Sequence, residues 1–98
     1  MSTANDVYTF LVAYMNKFAG PYSGWYAGIT ADPRDRLFSG HNVSEADGNW
    51  AYKPAATSDD ARSAEQALFK LGCDGGPGGG DNTTKIVYVY RKTANSIE

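Results

Sequence analysis

The first hydrophobic residues of the chain recur every three or four positions, which is the spacing of an amphipathic helix. The series consists of Val7, Phe10, Leu11, Tyr14 and Phe18. Asn5 or Asp6 can cap the start of such a helix, and Gly20-Pro21 ends it. The apolar residues between Tyr8 and Tyr14 also alternate in a way that suits a strand. The pattern as a whole favours a helix over residues 6–18.

A run of aromatic and β-favouring residues follows, bounded on both sides by turn-forming residues. This run, "WYAGIT", predicts a strand from Trp25 to Thr30. Asp32 can then cap a short helix whose first position is Pro33, where the missing N–H costs nothing. We expect this helix to extend to about Phe38 and to be closed by Gly40.

The second half of the chain predicts a strand, a helix and a final strand. After a polar loop, "WAYK" predicts a short strand before Pro54. Ser58 caps a strongly amphipathic helix that stops at Gly72. The last strand, "KIVYVYRK", is apolar on both faces, which is typical of a central strand covered on both sides. The element order α-β-α-β-α-β predicts a small α/β (α+β) fold with a three-stranded mixed sheet flanked by helices.

Length and composition limit the class of protein. A chain of 98 residues, of which 42% are hydrophobic, fits a single domain over residues 1–98, with residues 93–98 expected to fray. The apolar stretch from Val7 to Tyr14 is far shorter than the roughly 20 residues that span a bilayer, and no basic segment precedes it. We therefore expect a soluble, cytoplasmic protein with no membrane partner. The sequence does not determine its oligomeric state.

Two further features point away from other kinds of site. Cys73 is the single cysteine, which excludes an intramolecular disulfide, and it follows a helix C-terminus, where the dipole disfavours a thiolate. The glycine run from Gly75 to Gly80 follows a helix and leads into a strand. A phosphate-binding loop has the opposite order and carries a Lys-Ser/Thr pair, so this run is predicted to be a flexible or close-packed connector.

Residues 24–41, "GWYAGITADPRDRLFSGH", place a strand motif, an arginine and the single histidine close together in sequence. Tyr26-Ala27-Gly28 is followed by Arg36 ten residues after Tyr26. This arrangement resembles the second motif of the GIY-YIG nuclease superfamily, in which a Tyr-Ile/Val-Gly strand precedes a catalytic arginine on a helix. The superfamily continues with a strand and a helix that carries a metal-binding glutamate, and here "WAYKPA" and "ARSAEQAL" offer Glu65. The resemblance covers roughly residues 24–72.

The resemblance implies phosphodiester hydrolysis at a site made of four residues. Glu65 would hold Mg²⁺ or Mn²⁺, and Arg36 would neutralise charge on the pentacoordinate phosphate. Tyr26, with His41, would orient or activate the attacking water. The expected partner is nucleic acid, bound weakly, because the net charge is −2 and the basic residues are scattered rather than gathered in a patch.

Three features depart from the superfamily pattern. The first motif, a Gly-Ile-Tyr-like strand about ten residues before the second, is not evident, since the nearest candidate, "VAY" at residues 12–14, lacks the glycine. His41 lies fifteen residues after Tyr26, one beyond the common family spacing, and one residue on a helix corresponds to a rotation of about 100°. The chain also has an added strand, "KIVYVY", after the glutamate helix. The sequence therefore predicts a GIY-YIG-like fold with an incomplete catalytic set, in which the site lacks one tyrosine.

These departures favour a degenerate member of the superfamily that acts as a binding or interaction module without efficient catalysis. One alternative is an active, divalent-metal-dependent endonuclease. Another is a structural domain that dimerises through its seven Tyr and two Trp residues, which are types enriched at interfaces. Each candidate residue also has a purely structural interpretation. Tyr26 would then pack in the core, Arg36 would pair with Asp32, Glu65 would solubilise a helix edge, and His41 would lie in a loop.

Overall fold

The structure is a computed structural model that describes residues 2–46, 48–75, 84–94 and 96–97. Its main elements are helices α1 (Ala4–Met15) and α2 (Ser58–Leu71), strands β1 (Trp25–Thr30), β2 (Trp50–Pro54) and β3 (Ile86–Arg91), and a π-helical turn at Asp35–Gly40. The α+β class is thereby confirmed. None of the helices among these residues has the length and apolar character needed to cross a membrane.

The helix ends follow from local hydrogen bonds and shift three predicted boundaries. α1 begins at Ala4 and not at residue 6, because its cap is Thr3, which forms a capping box with Asp6, and not Asn5 or Asp6 as predicted. It ends at Met15 rather than at Phe18 because the next residues form tighter turns. The cap of α2 is Thr57, whose side chain accepts from the Asp60 N–H, and not Ser58 as predicted. Both residues have a capping hydroxyl, so sequence alone did not distinguish them.

The sheet is antiparallel throughout, and the prediction of a mixed sheet was wrong. The strand order is β1-β3-β2, and β3 pairs antiparallel with both neighbours. β1 and β2 run in the same direction but do not pair with each other, because β3 returns from α2 and inserts between them. The predicted central position of the last strand is confirmed.

The sheet has two faces of different composition. On the helix face, α1 and α2 pack on aliphatic and small side chains, with Ala27, Val87 and Val89 each fully buried. On the opposite face, which we call the tyrosine face, the π-helical turn and the loop after it cover the tyrosines of β1 and β3. The members of that second cluster are Tyr26, Leu37, Val43, Tyr88 and Tyr90, with Phe38, Trp50 and Tyr52 packed against them.

Candidate active site on the tyrosine face

Tyr88 is the centre of the polar contacts on the tyrosine face. It lies directly opposite Gly28 in the β1-β3 register. A Cβ at residue 28 would lie only 2.4 Å from the Tyr88 hydroxyl oxygen, so the side chain crosses β1 at the one position without a side chain of its own. The space beside Gly28 is thus filled by a tyrosine side chain.

His41 meets Tyr88 from the other side. Its Nε2 lies 2.7 Å from the Tyr88 hydroxyl, and the imidazole is only 3% exposed. The rotation expected from the extra residue in the sequence does not turn His41 away. The His41 N–H donates to the Arg36 carbonyl, five residues back, over 2.9 Å, which is a π-type hydrogen bond. The π-helical turn therefore accommodates one more residue than an α turn, and π turns occur frequently at functional sites.

Arg36 is on the same π-helical turn and is exposed to solvent. A hydrogen bond to the Tyr88 hydroxyl is the main reason why the pKa of Arg36 is raised. In return, Arg36 lowers the pKa of Tyr88, but burial outweighs it and raises the pKa of Tyr88 to about 12. The guanidinium of Arg36 thus interacts with the buried phenol of Tyr88. Arg36 itself remains accessible to a ligand from solution.

Tyr26 is a further aromatic residue that packs beside His41. Its ring stacks on Tyr90 with centroids 5.2 Å apart, and it lies 4.8 Å from the His41 ring. Its hydroxyl is near enough to contribute to the raised pKa values of Arg36 and Tyr88. The ring of Tyr26 therefore packs as a core aromatic, as the structural interpretation expects. Its phenol oxygen lies among the polar groups of Arg36, His41 and Tyr88.

Glu65 lies on α2, which packs on the helix face of the sheet. It is 6% exposed and lines a surface pocket with Ile29, Arg62, Gln66 and Phe69. Burial raises the pKa of this carboxyl group, and Arg62 lowers it by a smaller amount. The Glu65 charge also contributes to the raised pKa of Tyr88. The carboxylate is thus placed where desolvation disfavours its charge, and a bound cation would relieve that cost.

The donor set suits a hard divalent cation that keeps most of its water. Among the residues that the structure describes, no group of three or more His, Cys, Asp or Glu side chains could form a protein cage for a metal ion. Mg²⁺ is commonly held by one or two carboxylates together with substrate phosphates and water. Glu65, at a pocket open to solvent, fits that pattern and does not fit a structural zinc site.

The structure brings Tyr26 and Tyr88 into contact with His41, and it places Arg36 beside Tyr88. Glu65 is not in contact with these residues, because it lines a pocket with Ile29 and Phe69, which pack on the helix face. Tyr88 is the residue of this cluster that the sequence did not predict as part of a site. Tyr88 was predicted only as a covered residue of a central strand. The available signal was a hydroxyl group in a strand buried on both faces, because a buried phenol normally requires a hydrogen-bonding partner.

Two other predictions concern residues away from this cluster. Cys73 is buried, and burial raises the pKa of its thiol to about 11, which agrees with the prediction that it is not a nucleophile. Most of the glycine run, from residue 76 onward, lies outside the described residues. Gly75 is described, and a Cβ there would lie 2.1 Å from the Phe69 ring, as expected of a close-packed connector.

Comparisons with family models, with curated proteins and with solved structures found no match to this chain.

Proposed function

We propose that this chain is a GIY-YIG-type, divalent-metal-dependent endonuclease whose last strand supplies the tyrosine that is missing before β1. The observation that carries the proposal is the position of Tyr88, which lies opposite Gly28, is hydrogen-bonded to His41, and interacts with Arg36 strongly enough to raise the pKa of that guanidinium. The resemblance calls for a tyrosine-bearing strand paired with the Tyr-Ala-Gly strand. In this chain β3 meets that requirement, although it follows β1 in sequence instead of preceding it.

The position of His41 supports the same proposal. The extra residue between Tyr26 and His41 counts against catalysis only if the intervening helix is regular. The π-helical turn removes that objection, because it keeps the imidazole 4.8 Å from the Tyr26 ring and within hydrogen-bonding distance of Tyr88. The spacing irregularity and the missing tyrosine, which favoured a degenerate module, are therefore both compensated by the fold.

The residues divide the work of phosphodiester hydrolysis as follows. Tyr88, acting with His41, takes the proton of the attacking water, because its own O–H points at His41 Nε2 and can pass a proton on. Arg36 neutralises the charge that develops on the phosphoryl oxygens. Tyr26 orients the water beside Tyr88. Glu65 would hold a divalent metal ion, whose contribution would be to polarise the phosphoryl group.

Cleavage of labelled single-stranded, duplex and branched DNA and of RNA, in Mg²⁺ or Mn²⁺, tests the proposal. Removal of the metal by a chelator and the substitutions Glu65→Gln and Arg36→Ala should each abolish cleavage. Glu45→Gln is a matched control, since Glu45 is an exposed carboxylate that pairs with Arg34 away from the cluster. If the wild type cleaves none of these substrates, the scaffold is instead an interaction module.

Glu65→Gln should also leave the folded state as stable as the wild type or more stable. The pKa of Glu65 is raised in the folded state, so stability contributed by its neutral form is lost as the pH rises through the carboxyl range. At neutral pH the charge is therefore a cost that glutamine removes. Urea unfolding at pH 7 checks this expectation. A clear loss of stability in Glu65→Gln would indicate a structural role instead.

A further inference from the structure

The C-terminal segment returns to the candidate site and pairs with His41 through its backbone. The Ile97 N–H donates to the His41 carbonyl over 2.7 Å, and the Ile97 carbonyl oxygen lies 2.6 Å from His41 Nδ1. The Ile97 side chain is 58% exposed, so the backbone makes these contacts. Thr93 and Ser96 hold the segment by three hydrogen bonds between them. The described residues of the tail that was predicted to fray are therefore attached to the site.

These contacts determine which nitrogen of His41 carries the proton. A carbonyl oxygen only accepts hydrogen bonds, so its 2.6 Å contact with Nδ1 requires a proton on Nδ1. In the neutral ring Nε2 then has a lone pair, and the Tyr88 hydroxyl at 2.7 Å must be the donor. The Tyr90 hydroxyl oxygen lies 3.3 Å from the same Nδ1, and the Tyr90 O–H donates to the Ile97 carbonyl over 3.4 Å. The Tyr90 oxygen can therefore accept from Nδ1–H while its own proton goes to Ile97, which is compatible with the same assignment.

The hydrogen bonds therefore run in one direction through the cluster. A guanidinium has donors only, so Arg36 donates to the Tyr88 oxygen. Tyr88 donates to His41 Nε2, and His41 Nδ1 donates to the Ile97 carbonyl. Each bond in such a chain polarises the next one. The arrangement strengthens the acceptor at Nε2, which is the atom that receives the Tyr88 proton in the proposed reaction.

We infer that the Ile97 carbonyl is a positioning group that fixes the Nδ1–H tautomer of His41, and that Ile97 is thus part of the site. The catalytic meaning of this inference rests on the proposed nuclease function. The tautomer itself is a property of the folded chain and is measurable without any substrate. A tautomer with the proton on Nε2 has no lone pair for the Tyr88 hydroxyl.

The chain has one histidine, so ¹⁵N NMR of the imidazole reports on His41 alone. The neutral ring of the wild-type protein should show a protonated Nδ1 and an unprotonated Nε2. In Ile97→Pro, which lacks the N–H that donates to the His41 carbonyl, the Nε2–H tautomer should become populated. Ile97→Ala keeps the backbone and is the matched control, with an unchanged spectrum. A proton on Nε2 in the wild type, or an unchanged tautomer in Ile97→Pro, overturns the inference.

The cleavage assay on the same proteins separates this inference from the proposed function. Ile97→Pro should cleave about tenfold more slowly or worse than the wild type, because the wrong tautomer cannot accept the proton. Glu45→Gln, at an exposed residue paired with Arg34 away from the cluster, should cleave at the wild-type rate. A wild-type protein with the Nδ1–H tautomer but no cleavage would support the assignment and refute the nuclease. An active protein with the Nε2–H tautomer would refute the assignment and leave the nuclease standing.

Discussion

On the helix face of the sheet β3 contributes Val87 and Val89, whereas on the tyrosine face the same strand contributes Tyr88 and Tyr90. The two valines pack against α1, α2 and their neighbours through non-directional apolar contacts. The two tyrosines contact His41 through their hydroxyl groups, and Tyr88 also interacts with Arg36. Alternation along one strand therefore builds a scaffold on one face and a polar cluster on the other.

The elements that cover the two faces of the sheet also differ in regularity. Regular α-helices with well-formed caps cover the helix face. A single π-helical turn and a loop cover the tyrosine face, and they bring Arg36 and His41 to Tyr88. The regular helices bury apolar side chains, whereas the irregular turn allows the side chains of Arg36 and His41 to approach Tyr88. The contrast predicts that substitutions on the helix face change stability and that substitutions on the tyrosine face change chemistry.

Tyr88→Phe should have the largest effect on chemistry. Removing one hydroxyl deletes the proton path from water to His41, and cleavage should fall by about 10²–10⁴-fold, the range of general acid–base contributions. Stability should fall by about 1–3 kcal/mol because the buried Nε2 loses its donor. Tyr52→Phe is the matched control, since Tyr52 lies beside Tyr88 on β2 and faces the same side. Equal loss of cleavage in both variants would contradict the assignment.

Leu68→Ala, on the helix face, should lower stability and leave cleavage unchanged. Leu68 is fully buried, and truncation of a buried leucine costs about 2–5 kcal/mol. Cleavage per folded molecule should be unchanged, because no hydrogen bond of the cluster involves α2 at this position. Leu37→Ala is the comparison on the tyrosine face, where loss of the fully buried Leu37 should reduce both stability and cleavage by loosening the π-helical turn. Urea unfolding and cleavage rates measured together distinguish the two patterns.

Gly28→Ala should cause a smaller structural change with a local effect on chemistry. The new methyl group would overlap the Tyr88 hydroxyl, which is hydrogen-bonded to His41 and cannot move without breaking that bond. Overpacking of this kind costs about 1–3 kcal/mol. The ¹⁵N signal of His41 Nε2 should shift as the Tyr88 hydroxyl withdraws. Ala51→Gly is a comparison on β2, at a residue that faces the helices. An unchanged His41 signal in Gly28→Ala would show that Tyr88 does not depend on the glycine.

The sequence predicted the helices and strands on both faces of the sheet. It did not predict the contacts on the tyrosine face. Periodicity was sufficient for β1, for α2 and for the central position of β3, because burial alone imposes those patterns. The pairing of Gly28 with Tyr88 was not predictable, since it depends on β3 inserting next to β1 although 55 residues, 31–85, separate the two strands. The π-helical turn was also missed. Its position is set by tertiary contacts of His41 and not by residue propensity.

The pH dependence of the unfolding free energy in alkaline solution should also distinguish the helix face from the tyrosine face. We expect this effect to be smaller than those of the preceding variants. Burial raises the pKa of Cys73, on the helix face, from 9.0 to about 11, and that of Tyr88 from 10.0 to about 12. In each case the folded value lies above the unfolded one, so the contribution to stability is complete below the unfolded pKa and is lost as the pH rises through the folded value.

Cys73→Ala should therefore flatten the loss of unfolding free energy between about pH 9 and 11, and Tyr88→Phe the loss between about pH 10 and 12. Urea unfolding at successive alkaline pH values measures both. The Tyr88 window lies well above neutrality, so its phenol remains protonated at neutral pH and is available to donate to His41. A decline that begins near pH 8 in the wild type and disappears in Tyr88→Phe would mean that the phenol ionises early. The tyrosine would then act as a phenolate in its own right, without passing a proton to His41.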